Sequence, residues 1–269
     1  MPNAKQTVQK PAPTAPDIRK AVYGWLPDIP DNRDHLYGAV RKIPKILPPK
    51  VDLRPGCSPV EDQQDLGSCT ANALAGALEF LMKKDKVPIK DMSRLFIYYN
   101  ERVIGGTVAA DSGAMIRDGI KTLASQGACT EKRWPYNPAR FAAKPAKACY
   151  TQALGYQILS YARLNTLDEM RACLADGFPF VFGFSVYEGF ESAQVARNGM
   201  LEMPKKKEKM LGGHAVLAVG YDDAVKRLIV RNSWGTGWGK EGYFTMPYAY
   251  VVDRNLSDDF WTIRGAEGM

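Results

Sequence analysis

The sequence predicts an α+β fold in two lobes, helices first and strands second. Two observations carry this. Between about residues 60 and 155, apolar residues recur at three- and four-residue steps; from about 156 to 269 they gather in short aromatic and β-branched runs broken by glycine. No strand–helix–strand alternation links the halves, which argues against a parallel α/β sheet. The cleft between two such lobes is where a functional site is expected.

Taken in order, residues 1–20 carry Pro11, Pro13 and Pro16 without periodicity and read as disordered or extended. Residues 21–37 hold Tyr23, Trp25, Leu26, Ile29, Leu36 and Tyr37 among Pro and Asp. Such large apolar groups need a surface, either the outside of the body or a groove. Residues 41–50 read as a linker, and the body begins near Val51. Helices are expected from Ser68 to about Lys84, from Ser93 through Tyr99 with Ser93 as cap, and from Met115 to Gln126 with Gly127 ending it. Tyr156–Leu164 reads as a strand. Thr166 and Glu169 have capping-box spacing and open a short helix that Gly177 stops. Strands follow at Phe178–Val186, Ala215–Tyr221, Arg227–Arg231, Gly242–Met246 and Phe260–Ile263.

Composition narrows the function. The net charge of +7 is concentrated at one end: residues 1–50 hold nine Lys/Arg against four Asp/Glu, leaving the rest nearly neutral. A nucleic-acid binder would show a basic stripe with interleaved aromatics, and none occurs. No apolar run reaches the ~20 residues of a membrane span. Five cysteines without CxxC spacing give neither a metal site nor a dense disulfide scaffold. Cys129 and Cys149 flank a Pro-rich loop and either staple it or remain thiols. Met1–Lys5 lacks the apolar core of a secretory signal, so the expectation is a protein kept inside the cell or one whose leader has been removed.

The chemistry-bearing residues are few. Cys69 opens the first long helix, where unpaired backbone N–H groups and the macrodipole favour a thiolate. Of two histidines, His35 lies in the tail as a solvated or packing residue. His214 lies between Gly212-Gly213 and the apolar strand Ala215–Val219. Its imidazolium would complete an ion pair with a thiolate. Asn232 ends another strand and offers an amide oxygen to orient that ring, with Trp234 to shield the contact. Two tryptophans and four glycines follow between Asn232 and Tyr243.

These segments resemble the papain-like cysteine peptidases. Asn232–Tyr243 fits that family's Asn-Ser-Trp-Gly-x-x-Trp-Gly-x-x-Gly-Tyr pattern at every fixed position, and His214-Ala215-Val216 with Gly220-Tyr221 fits its histidine segment. The resemblance covers about residues 50–263. It implies a papain-like two-lobe fold, with a helical lobe and an antiparallel β-barrel-like lobe. By resemblance Cys69 is the nucleophile, His214 the base and acid, Asn232 the orienting group, and Gln63 the oxyanion donor with Gln64 as the alternative. Trp234 covers the site, Gly213 stands where the family has aspartate, Ser112 and Gly113 fall on the substrate strand, and Met115 lines the main specificity pocket. Cys-Gly-Ser-Cys-Trp is usual around the nucleophile. Here it is Leu66-Gly67-Ser68-Cys69-Thr70, which removes a disulfide and an aromatic shelf without removing a catalytic group.

The implied activity is hydrolysis of peptide bonds through an acyl-enzyme, without metal or cofactor. Its rivals are acyl transfer to an amine from the same site and a catalytically silent peptide-binding homologue. The expected partners are a peptide or protein substrate, with no nucleic acid or membrane, and a monomeric state. Residues 1–47 are expected to be an N-terminal extension serving as a zymogen-like, cleft-blocking segment, and residues 48–269 the peptidase domain.

Overall fold

Ser93 and Thr166 show how local sequence sets the frame. The Ser93 hydroxyl accepts from the Phe96 N–H at 3.1 Å and starts a helix that Gly106 closes at φ +69°. Thr166 and Glu169 form the full capping box. The computed structural model describes residues 22–86 and 90–266, so the extended stretch expected at residues 1–20 lies outside the described residues. Along the chain the elements are α1 (Tyr37–Val40), β1 (Lys50–Asp52), α2 (Cys69–Lys84), α3 (Arg94–Gly105), α4 (Ile116–Ser125), α5 (Lys147–Ala153), β2 (Ile158–Arg163), α6 (Leu167–Ala175), β3 (Phe180–Tyr187), α7 (Ala193–Asn198), β4 (Met210–Asp222), β5 (Arg227–Arg231), β6 (Tyr243–Pro247), α8 (Tyr248–Val252) and β7 (Ser257–Ala266).

The fold is the expected α+β arrangement. The strands form one antiparallel sheet in the order β2-β7-β3-β4-β5-β6, with β1 paired to the far end of β4. α2 packs on α3 and α4 on one side and on β4 and β7 on the other, and its residues from Cys69 to Met82 are buried. A helix enclosed on all faces reads as apolar all round, which its Ala- and Leu-rich sequence does. Two apolar cores result. One joins α2, α3 and α4 to the inner face of the sheet; the other lies behind the sheet around Phe180, Phe182, Phe184, Phe244 and Phe260.

Three expectations shift. Ser68 stands at the N-cap of α2 without capping it, because its hydroxyl bonds Tyr136 Oη at 2.6 Å and accepts from Asn72 Nδ2 at 3.1 Å. β3 begins at Phe180 rather than Phe178, since Pro179 has no N–H to give the ladder. β4 starts four residues before His214, so Gly212 and Gly213 belong to the sheet, opposite Val186 and Ser185. The short helices α5, α7 and α8 have no clear periodicity in the sequence. All five cysteines are free thiols, Cys129 and Cys149 lying side by side.

Candidate active site

The first turn of α2 faces the middle of β4, and this brings together residues far apart in the chain. Cys69 Sγ accepts from the Ala215 N–H at 3.3 Å, immediately after His214. His214 Nε2 lies 2.8 Å from Asn232 Oδ1, which also accepts from the Ser233 N–H at 2.8 Å. An oxygen that already accepts from an amide fixes the ring nitrogen beside it as the N–H. Nδ1 therefore keeps its lone pair, and among the described residues it is buried without a hydrogen-bond partner. Trp234 stacks on the imidazole at 5.2 Å and 30°. The structure thus brings His214, Asn232 and Trp234 together and sets Cys69 Sγ at the N–H of the next residue, Ala215.

Gln63 is fully buried and held at both ends of its amide. Its Oε1 accepts from the Ser233 hydroxyl at 2.6 Å, and its Nε2 donates to Leu66 O at 2.9 Å and Val22 O at 3.1 Å. Gln64 is exposed in a left-handed turn, φ +55°. The turn before Cys69 is tied down by Asp111, whose carboxylate accepts from the Gly67 N–H at 3.0 Å and from the Tyr98 hydroxyl.

The other partner of Gln63 is the N-terminal segment, which runs between the lobes. Trp25 N–H donates to Gly213 O at 2.9 Å, Leu26 N–H to Ala114 O at 3.0 Å, and Ala114 N–H to Gly24 O at 2.8 Å. Gly213 thus meets the segment through its carbonyl. Gly113 was expected to pair with an extended chain. Its N–H is instead taken by the Tyr98 hydroxyl at 3.1 Å, and Ala114 makes the backbone bonds. What Gly113 supplies is clearance: at φ +73°, a Cβ there would stand 2.2 Å from Gly24 O. Ser112 turns its hydroxyl to Thr107 Oγ1 at 2.8 Å. Met115 begins the turn into α4 and lines a cavity shared with Asp28, Ile29 and Arg117.

Burial sets the charge state of the site. With the segment in place it pushes the Cys69 thiol up to about 11, against the backbone N–H groups of Ala215, Gly24 and Thr70, which favour the thiolate. It pushes the His214 imidazole down to about 4, only partly opposed by its bond to Asn232. Desolvation outweighs the helix end, and the closed site holds a neutral thiol beside a neutral imidazole. A cluster of three His, Cys, Asp or Glu side chains able to hold a metal ion does not occur among the described residues.

Sequence reading singled out Tyr23 and Trp25 as groups needing a surface but missed the residues that receive them. Tyr23 sets its ring edge on His214 at 6.0 Å and donates its hydroxyl to Glu191. Asp28 accepts from Trp261 Nε1 at 2.8 Å and from the Arg117 N–H at 3.1 Å, and Asp259 accepts from Trp25 Nε1 and the Asp28 N–H. The one available signal was Gly183 amid the aromatic run of β3, since glycine inside a strand marks a close approach.

Known proteins fit this geometry. The family profile described as papain family cysteine protease matches residues 47–256. The chain is 46% identical over 236 residues to an uncharacterized peptidase C1-like protein, L477, of Acanthamoeba polyphaga mimivirus, covering 82% of this chain and 76% of that protein. Its structure is similar to that of xylellain, a cysteine protease from Xylella fastidiosa, with a TM-score of 0.84, 45% identity, and coverage of 96% and 99% of the two chains. A digestive procathepsin L 3 of Tenebrio molitor, 19% identical with a TM-score of 0.69 and coverage of 91% and 76%, shares the fold. With the motif, the lobes and these relatives in agreement, the chain belongs to the papain family of cysteine proteases.

Proposed function

We propose that this peptidase hydrolyses peptide bonds through a Cys69 thiolate and a His214 imidazolium, and that its N-terminal segment keeps the site closed. The observation that carries the reading is the convergence at Cys69. The sulfur lies at the N–H that follows His214, and the Gln63 amide donates to a peptide carbonyl, that of Val22. In the reaction His214 Nδ1 takes the thiol proton, and the sulfur adds to the substrate carbonyl. Gln63 Nε2 and the Cys69 backbone N–H stabilise the oxyanion. His214 then gives its proton to the leaving amine and next takes one from the water that releases the acyl group. Asn232 keeps the ring oriented throughout. Residues 1–47 act as the regulatory extension and residues 48–269 as the catalytic unit.

The test is reaction with a peptidyl epoxide together with mass spectrometry of products from an unfolded protein substrate. Wild type and the full chain carrying Trp25→Ala are compared, each with and without His214→Ala. Labelling at Cys69 and new peptide termini, both abolished by His214→Ala, are expected. Labelling without any peptide products would leave only a peptide-binding module.

A further inference from the structure

The pocket filled by Trp25 is built for that side chain. Trp25 is 8% exposed. On one wall, a Cβ added to Gly183 would stand 1.9 Å from Trp25 Cε2; beside it, a Cβ on Gly213 would stand 2.8 Å from Cε3. Any other residue at 183 would occupy the space of the indole. At the end of the ring, Asp259 Oδ2 accepts from Trp25 Nε1 at 3.1 Å. Asp259 is itself 1% exposed, with its backbone in the left-handed region at φ +57°. Its other oxygen accepts from Arg163 Nη2 at 2.8 Å.

We propose that, once the segment withdraws, this pocket recognises a tryptophan side chain of the peptide substrate, with Asp259 as the specificity-determining acceptor and Gly183 as the opening. The proposal rests on the peptidase reading above and deepens it. A carboxylate in a pocket invites a lysine or arginine, but the charges here argue otherwise. Asp28 and Asp34, which face Arg117 and Arg163, both belong to the segment and leave with it. What remains around the pocket is Asp118, Asp258 and Asp259 against Arg117, Lys121, Arg163 and Arg254. An incoming cation meets an excess of positive charge. A neutral ring carrying one N–H satisfies Asp259 without adding charge. The Asp28 N–H, which also reaches that buried oxygen at 2.7 Å, leaves with the segment, and phenylalanine fills the space without replacing the donor that Trp25 supplied.

The experiment uses the full chain carrying Trp25→Ala, which vacates the pocket, and a positional-scanning peptide library read by mass spectrometry. One substrate position should favour tryptophan over phenylalanine by about fivefold, equivalent to about 1 kcal/mol, and over arginine by more. Adding Asp259→Leu should bring the tryptophan-to-phenylalanine ratio near one. Should that variant fail to fold, Gly183→Val is the second reading: it should exclude tryptophan in favour of small side chains. Cleavage without a tryptophan preference, or with preference for lysine or arginine, overturns the pocket assignment and leaves the peptidase reading standing. No cleavage of any peptide overturns the peptidase reading. In that event calorimetric binding of a tryptophan tetrapeptide to the Trp25→Ala chain, against its phenylalanine counterpart, decides the pocket: tighter binding of the former supports it and equal binding refutes it.

Discussion

Replacing Trp25 by alanine should open the cleft. The side chain is almost wholly buried, and its Nε1 donates to Asp259. Truncating a buried tryptophan costs about 3–5 kcal/mol in a folded core. Here the loss falls on docking of the segment, because the wall residues Gly183, Gly213 and Ala114 belong to the body and keep their own sheet and helix contacts. Taking about 3 kcal/mol, the population of the open form rises about 150-fold. Cys69 is fully buried beneath the segment, so its alkylation requires opening. The assay is the second-order rate of Cys69 alkylation by iodoacetamide in the full chain, located by peptide mapping because Cys57 is partly accessible. A rise of one to two orders of magnitude is expected. Rates within threefold of each other would show that Trp25 does not hold the cleft closed.

Three further outcomes follow from the same geometry. The segment should loosen in acid through His214. Its docked pKa is held down at about 4 against an ordinary value near 6.5, so docking weakens by up to ~1.4 kcal/mol per pH unit as pH falls between them. Asp28 and Asp259 are raised by burial and act with the opposite sign, favouring docking in acid and losing that contribution as pH rises. Amide exchange at Leu26 and Ala114, corrected for intrinsic rates, should therefore show a steeper acid loosening in Asp28→Asn than in wild type. Asn232→Ala should lower kcat about 10- to 100-fold with a smaller change in KM, since the ring loses its orienting acceptor but no substrate contact. Glu101 is fully buried beside Thr70 and raised by burial to about 8. A raised carboxyl stabilises the fold below its unfolded value near 4.5 and loses that contribution as pH rises through about 8. Glu101→Gln should match wild type in thermal stability at pH 4 and exceed it at pH 9 by up to a few kcal/mol.

The residues that carry chemistry were legible because chemistry demands particular side chains at particular spacings. Cys69 could be placed at a helix start from the apolar stripe behind it, and Asn232–Tyr243 has few readings other than the one it has. The residues that receive the segment were not legible. Asp28 and Asp259 meet across the whole length of the chain, and nothing in Ser257-Asp258-Asp259-Phe260 distinguishes a solvated turn from a pocket floor. The tail shows the limit well. Trp25 and Ile29 look alike in sequence as large apolar groups near Pro and Asp, yet Trp25 is buried and Ile29 is 67% exposed. The difference lies in Gly183, which leaves room for one of them. The shift from Gly113 to Ala114 has the same character, since it depends on a tyrosine hydroxyl from α3 taking the Gly113 N–H.

Helix geometry and burial give opposite answers for Cys69, and the opposition itself suggests how the site is controlled. The amide groups at the start of α2 and at Ala215 favour the thiolate, while exclusion of water favours the thiol, and with the segment docked exclusion prevails. Part of that exclusion comes from the segment itself, through Tyr23 against His214. Withdrawal of the segment from Val22 through Asp34 would readmit water to one side of the pair while leaving the helix end, Ala215 and Asn232 in place. Most of the groups that favour the charged pair, Ala215, Thr70 and Asn232, belong to the body, and the segment contributes the Gly24 N–H on that side and part of the burial on the other. On the proposed reading, opening the cleft and ionising the nucleophile would be one event, and the closed chain would be protected twice, by the occupied cleft and by a sulfur that carries its proton.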